Sequence, residues 1–157
     1  RVVRWLLLYA IAPVMRWIGC GPRKRKSVLY VGQSYYNSWY LSRALRKLGW
    51  RADVLNWDAN PSAQIYYHGE DFRISYSQPA DVANYFRFFL WSLWQYDVFH
   101  FANKGGLQFG EPFRAEVAKL IGQAGFEIYF LKKLGKTIVY SNNGCLDGVS
   151  QDRKSHV

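Results

Sequence analysis

A chain of 157 residues is long enough for one domain with a core of its own. Half of it is hydrophobic and 18% is aromatic, which excludes a disordered segment; its two cysteines, Cys20 and Cys145, have no paired spacing, which excludes a zinc or redox motif and makes a reducing compartment the default. The net charge of +10 is concentrated, because residues 1–52 hold eleven Lys/Arg and no acid, whereas residues 53–157 hold ten Lys/Arg against eleven acids.

Nucleic-acid modules spread basic and aromatic side chains over a face. Here the charge clusters behind an apolar segment, which favours a membrane surface over a phosphorylated substrate, and both over nucleic acid. Residues 2–18 read VVRWLLLYAIAPVMRWI, at the short limit for a membrane span, with Arg4, Pro13 and Arg16 inside it. Trp5 and Trp17 suit the headgroup region, and the run Arg23–Lys26 suits anionic lipid at about 1 kcal/mol per residue. Ala10 and Ala12 have the spacing of a signal-cleavage site, but the apolar run continues past them. Residues 1–26 therefore read as an apolar/basic helix lying in the membrane interface, the alternative being an amphipathic helix packed on the domain.

Ser27–Gly32 is a short apolar strand ended by glycine, followed by a polar-aromatic loop, Gln33–Trp39. A helix from about Ser38 to Leu48 carries Leu41, Ala44, Leu45 and Leu48 as one stripe. Gly49 ends it and Arg51–Trp57 is the second strand. Gln64–Tyr67 and Phe72–Tyr76 flank His68–Asp71 as a hairpin. Asp81–Gln95 is a helix with a polar arc and a wide face of Tyr85, Phe86, Phe89, Leu90, Leu93 and Trp94. Asp97–Phe101 is the third strand, followed by a glycine-rich loop, Asn103–Pro112. Val117 to Leu131 forms a helical stripe interrupted near Gly122 and Gly125, and Thr137–Ser141 is the last strand, before the loop Asn142–Gly148. Leu-Arg-Lys-Leu-Gly at 45–49 returns as Leu-Lys-Lys-Leu-Gly at 131–135, each time closing a helix just before a strand. Strands alternating with helices imply a Rossmann-like three-layer α/β sandwich with a mainly parallel sheet of four or five strands, buried on both faces. The chain starts at Arg1 rather than Met and ends in a polar stretch, so it reads as part of a longer protein: residues 27–150 form the domain, and 151–157 a tail leading to a further one.

Ligands of such sheets bind beyond the carboxyl ends of the strands, which singles out the loops Gly32–Asn37, Phe101–Gly106 and Asn142–Asp147. Their Gly, Asn, Ser and Tyr residues suit hydroxyl-rich ligands. Neither G-x-G-x-x-G nor G-K-[ST] occurs, so the dinucleotide and P-loop fingerprints are absent, although Gly32 before a helix could still receive a phosphate through backbone N–H groups. His100, at the end of a buried strand, is placed to hydrogen-bond a substrate hydroxyl or carboxylate or to act as a base; its other reading is a satisfied structural residue. His68, at a hairpin tip, is the weaker candidate. No Ser-His-Asp or Cys-His set assembles, and Cys145 has no evident activating base.

The succession K-S-V-L-Y-V-G, L-R-K-L-G-W-x-A-D-V-L, Y-D-V-F-H-F and L-K-K-L-G-K-T-I-V-Y-S-N-N-G-C resembles the N-terminal, acceptor-side half of bacterial GT-B-fold retaining glycosyltransferases, over about residues 27–150. The resemblance implies an enzyme half that holds the acceptor of a nucleotide-sugar-dependent transfer to a glycan or lipid-linked acceptor, inactive without a C-terminal domain that carries the donor. It implies His100 near the transferred sugar, Gly32, Gln33 and Ser34 at the donor phosphates, and Tyr35, Asn37, Asn103, Lys104, Asn142 and Asn143 on the acceptor side. It also implies a nucleotide sugar as co-substrate with no other cofactor and no metal, no nucleic-acid partner, and a place on the cytoplasmic side of the inner membrane. The alternative is a non-catalytic Rossmann-like ligand-binding module.

Overall fold

The computed structural model describes residues 2–23, 25–32, 36–56, 69–74, 79–102, 111–123 and 125–141. Val2–Cys20 forms the N-terminal helix α1, which includes two π-helical stretches, Leu7–Ile11 and Arg16–Cys20. Then follow β1 (Ser27–Gly32), α2 (Tyr36–Lys47), β2 (Arg51–Asn56), β3 (Phe72–Arg73), α3 (Pro79–Gln95), β4 (Val98–Ala102), α4 (Glu111–Ile121), α5 (Phe126–Leu134) and β5 (Thr137–Ser141). The two repeated segments end α2 and α5 by the same device. Gly49 and Gly135 take φ of 78° and 81°, which costs glycine nothing. Their N–H groups return to the carbonyls of Arg46 and Lys132, while those of Trp50 and Lys136 return to Leu45 and Leu131. Each is a Schellman closure, and each delivers the chain to a strand within two residues.

The five strands are all parallel, in the order β3-β2-β1-β4-β5. From the central pair β1/β4 the chain winds outward in both directions, so right-handed crossovers place α2 on one face and α3, α4 and α5 on the other. The burial follows. Val28, Tyr30, Ala52 and Val54 pack with Trp39 and Leu45 of α2. Leu29, Val31, Leu55, Phe99 and Phe101 pack with Tyr85, Phe89 and Leu93 of α3 and with Phe130, Leu131 and Leu134 of α5. The Rossmann-like α/β expectation holds. Burial on both faces holds for β1 and fails for β5, whose Val139 and Tyr140 are exposed, because β5 is an edge strand. Phe72–Arg73 joins the sheet as a parallel neighbour of β2; the other arm expected of a hairpin, 64–67, lies outside the described residues.

α1 packs on the domain. Ala12 and Cys20 are fully buried, Leu7, Leu8 and Met15 press on the core, Arg4 Nη1 donates to Gln123 Oε1 at 3.1 Å, and the Lys133 ammonium lies 4.5 Å from the Tyr9 ring centre. Burial raises the pKa of the Cys20 thiol against the pull of Lys136 and Arg23, which makes it unreactive. The opposite side of the same helix leaves Val2, Val3, Trp5, Leu6, Tyr9, Val14, Trp17 and Ile18 exposed, Trp17 at 87%. By length and composition Val2–Cys20 is apolar enough to cross a membrane.

Two charged clusters hold the strand starts and the sheet edge. Asp97, between α3 and β4, accepts the backbone N–H of Arg23 (3.0 Å) and Arg25 (2.8 Å) on Oδ2, and the buried Lys136 ammonium (3.3 Å) on Oδ1. Lys136 also donates to the Tyr96 carbonyl at 2.8 Å, and the Asp97 N–H donates to Ser27 Oγ at 3.0 Å. Burial lowers the Lys136 pKa, and the Asp97 charge works against that. On β2, Asp53 takes Tyr96 Oη (2.6 Å) and the guanidiniums of Arg46 and Arg51. Asp71 takes Arg43 and Arg46 at 2.8 Å and the Val54 N–H at 2.9 Å, so the open edge of β2 is closed by side chains.

Asp97→Ala would leave a buried ammonium without its counter-charge and two amides without an acceptor. Urea denaturation is expected to show a loss of about 3–5 kcal/mol. Lys136→Met keeps both amides on Oδ2 and should cost less; equal losses would show that the amide contacts contribute nothing.

Candidate functional site at the carboxyl edge of the sheet

The direction of winding reverses between β1 and β4, and a crevice opens at such a point beyond the strands' carboxyl ends. Register fixes which side chains meet there. Tyr30 pairs with His100, and His100 with Val139. One step further along, Gly32 pairs with Asn56, and Ala102 with Ser141. In a parallel sheet, paired residues share a face and residues two apart return to it. Tyr30, His100 and Ser141 therefore project together on the α2 side. His100 Nε2 lies 3.0 Å from Ser141 Oγ, and its ring lies 4.9 Å from that of Tyr30 at 39°.

All three groups are neutral hydrogen-bonding groups near pH 7. Burial lowers the His100 pKa and raises that of Tyr30, so the imidazole stays uncharged and the phenol stays protonated. Gly32, at the end of β1 with φ 139°, leaves the backbone beside them without a side chain. At the end of β2 the buried Asn56 donates through Nδ2 to Glu70 Oε2 at 2.6 Å, and Arg73 Nε approaches Glu70 Oε1 at 3.5 Å. A neutral His with a Ser partner and a phenol can donate to and accept from hydroxyls. Among the described residues His100 has no carboxylate partner to orient it as a nucleophile's base, and no group of three metal-ligating side chains occurs.

Of the residues expected at the site, the structure brings His100 and Gly32 to the same edge. Asn37 stands exposed in the first turn of α2 rather than in a loop, because that helix starts at Tyr36. Gln33, Ser34, Tyr35, Asn103, Lys104, Asn142 and Asn143 lie outside the described residues, as do His68 and Cys145. Tyr30, Ser141 and Asn56 were not anticipated. The available signals were strand alternation, which puts Tyr30 two residues before Gly32, and the place of Asn56 and Ser141 at strand ends. Comparison with protein-family models, with curated proteins and with solved structures finds no match.

His100 loses affinity for its proton on folding, so the unfolded chain binds more protons between its lowered pKa and about 6.5. Its contribution to stability is complete above about pH 6.5 and falls as pH drops through that window. The imidazole NMR titration, assigned with His100→Gln, should have its midpoint below 6.5; a midpoint above it would mean that His100 is not desolvated.

Proposed function

We propose that this chain is the acceptor-side domain of a membrane-surface glycosyltransferase that moves a sugar from a nucleotide sugar to a glycan or lipid-linked acceptor. One observation carries the reading: an uncharged His–Ser–Tyr cluster at the winding reversal of a parallel sheet, beside a glycine strand end. Such a cluster can hold and aim sugar hydroxyls without the desolvation cost of a charge. His100 would hydrogen-bond the transferred sugar or the acceptor hydroxyl, with Ser141 fixing its ring. Gly32 would leave room for the donor phosphates, and Gln33 and Ser34 would border them. Tyr35, Asn37, Asn103, Lys104, Asn142 and Asn143 would form the acceptor wall. The donor's nucleotide would be held by a second domain, and the retained stereochemistry rests on the sequence resemblance. The alternative of a non-catalytic module is favoured by one feature: among the described residues, no charged group hydrogen-bonds to His100.

The same body offers a membrane-facing surface. α1 is held to α5 on one side, in part through Tyr9, while Trp5, Val14, Trp17 and Ile18 face outward. Arg16, Arg23, Lys26, Lys132 and Lys133 are exposed along or beside it. A helix whose Ala12 and Cys20 belong to the core lies flat on the domain, and that geometry supports an interfacial anchor rather than a span, its cytoplasmic placement resting on the sequence resemblance.

Membranes from a strain lacking the gene, complemented with the full coding sequence, should transfer radiolabelled sugar from a nucleotide sugar into lipid or glycan. His100→Ala should lower that transfer roughly 100-fold, the scale of losing one transition-state hydrogen bond. Transfer independent of the gene defeats the proposal. Saturable nucleotide binding by the 157-residue chain alone would favour the binding-module reading.

The chain should also co-sediment with phosphatidylglycerol-containing vesicles and bind them less tightly as salt rises, and Val14→Asp with Trp17→Asp should release it. Unchanged sedimentation of that double variant would remove α1 as the anchor.

A further inference from the structure

On the face of the sheet away from His100, a cavity of about 210 Å³ lies between α1, α3, α4 and α5. Leu7, Phe86, Phe89, Leu90, Val117, Ile121, Phe126 and Phe130 line it, with the buried Glu127. An apolar cavity of roughly 150 Å³ stays dry and accepts a benzene-sized guest, so this one has room for a longer apolar group. It is not sealed, because Leu90 in its wall is 47% exposed. Its wall is continuous with the outward apolar face of α1: Leu7 belongs to the cavity, while Val3 and Leu6, a turn or less away on the same helix, are exposed.

Cations stand within one turn of the lining. Arg87 is exposed between Phe86 and Leu90. Arg4, three residues before Leu7, is held by Gln123, two residues beyond Ile121. The chemistry that fits is an apolar chain inside and an anionic head outside, against Arg4 and Arg87.

We propose that this cavity takes one acyl chain of an anionic membrane amphiphile. The site is separate from the His100 edge and does not depend on sugar transfer. It would draw a single lipid tail out of the leaflet on which α1 rests, so that the helix and the bound chain hold the domain at the surface together.

The test uses the 157-residue chain and a dansyl-labelled undecanoic acid below its micellar concentration, with no vesicles. Saturable fluorescence enhancement is expected, with displacement by lauric acid and weaker displacement by dodecanol, which lacks the charge. Val117→Phe and Ile121→Trp, which fill the cavity, should each weaken binding at least about tenfold, the loss expected when two methylenes no longer find the pocket. Trp17→Asp, on the outward face, should leave probe affinity unchanged while weakening vesicle binding, which separates this site from simple adsorption.

Absence of saturable binding, or unaltered affinity in both cavity variants, overturns the proposal. If those variants do not fold, a diazirine-bearing fatty acid on the unaltered chain decides. Crosslinks within residues 86–90 or 117–130 support the site, and crosslinks confined to the outward face of α1 overturn it. A self-associated form that competes with the probe would assign the cavity to a second copy instead.

Discussion

The Asp97 carboxylate is the contact on which the arrangement depends. Asp97 stands where α3 turns into β4 and holds three parts of the chain at once: its carboxylate accepts from the N–H groups of Arg23 and Arg25, in the segment that joins α1 to β1, and from Lys136 at the start of β5, while its backbone N–H donates to Ser27 Oγ at the start of β1. Its own carbonyl accepts the Thr137 N–H, so the β4–β5 ladder begins at the same residue. A buried carboxylate with one ammonium and two amides has both its oxygens partnered and its charge opposed, which is the condition under which such a charge is tolerated in a core. The next residue back extends the reach, since Tyr96 gives its carbonyl to Lys136 and its hydroxyl to Asp53 on β2. Strands of five or six residues extend about 17–20 Å from this anchor. The relative register of β1, β4 and β5, and with it the meeting of Tyr30, His100 and Ser141, is set at the opposite end of the sheet.

The contrast between what could and could not be read from the sequence follows the range of the interactions. The Schellman closures at Gly49 and Gly135 involve residues within five positions, so their pattern repeats openly as Leu-basic-Lys-Leu-Gly, and the strands after them were legible. The breaks at Gly122 and Gly125 were legible for the same reason; both glycines take positive φ between α4 and α5. Asp97 looked like the polar first residue of a strand, because its partners lie up to 74 positions away and nothing local marks them. His100 could be placed at a strand end from its own neighbours. Its partner Ser141 depends on the β4–β5 register, and Tyr30 on that of β1–β4, neither of which alternation specifies. The pairing of β3 with β2 was not legible either, because it is a long-range choice made by two residues.

The charge asymmetry of the sequence also changes meaning once folded. Three of the eleven basic residues in the first third, Arg43, Arg46 and Arg51, are taken up by Asp53 and Asp71 at the edge of β2 and are not a free basic surface. Burial alone would raise the Asp71 carboxyl, but Arg43, the Val54 N–H and Arg46 together hold it below the usual carboxylate range, so the cluster persists well into mild acid. In their place the fold adds Lys132 and Lys133, which sequence reading assigns to the end of a helix and which stand beside α1, with Lys133 over Tyr9. Exposed Lys and Arg rimming an apolar helix face suit the membrane-surface placement proposed above.

The two edges of the sheet thus differ in kind. The amino edge concentrates opposite charges in contact, with the Asp97–Lys136 pair buried, where attraction is stronger than in water. The carboxyl edge, among the described residues around His100, offers a neutral imidazole, a hydroxyl, a phenol and a glycine. A formal charge buried there would bind counter-ions or water strongly and would have to be desolvated each time a ligand entered. Neutral groups that both donate and accept exchange water for ligand hydroxyls at little net cost, which keeps discrimination in the geometry of the donors and acceptors. On the proposed function, a departing diphosphate needs cations or several N–H donors, and among the described residues no cation hydrogen-bonds to the cluster around His100. Recognition of hydroxyls here, with the leaving anion held largely by other groups, is the division that the proposed function would require of these side chains.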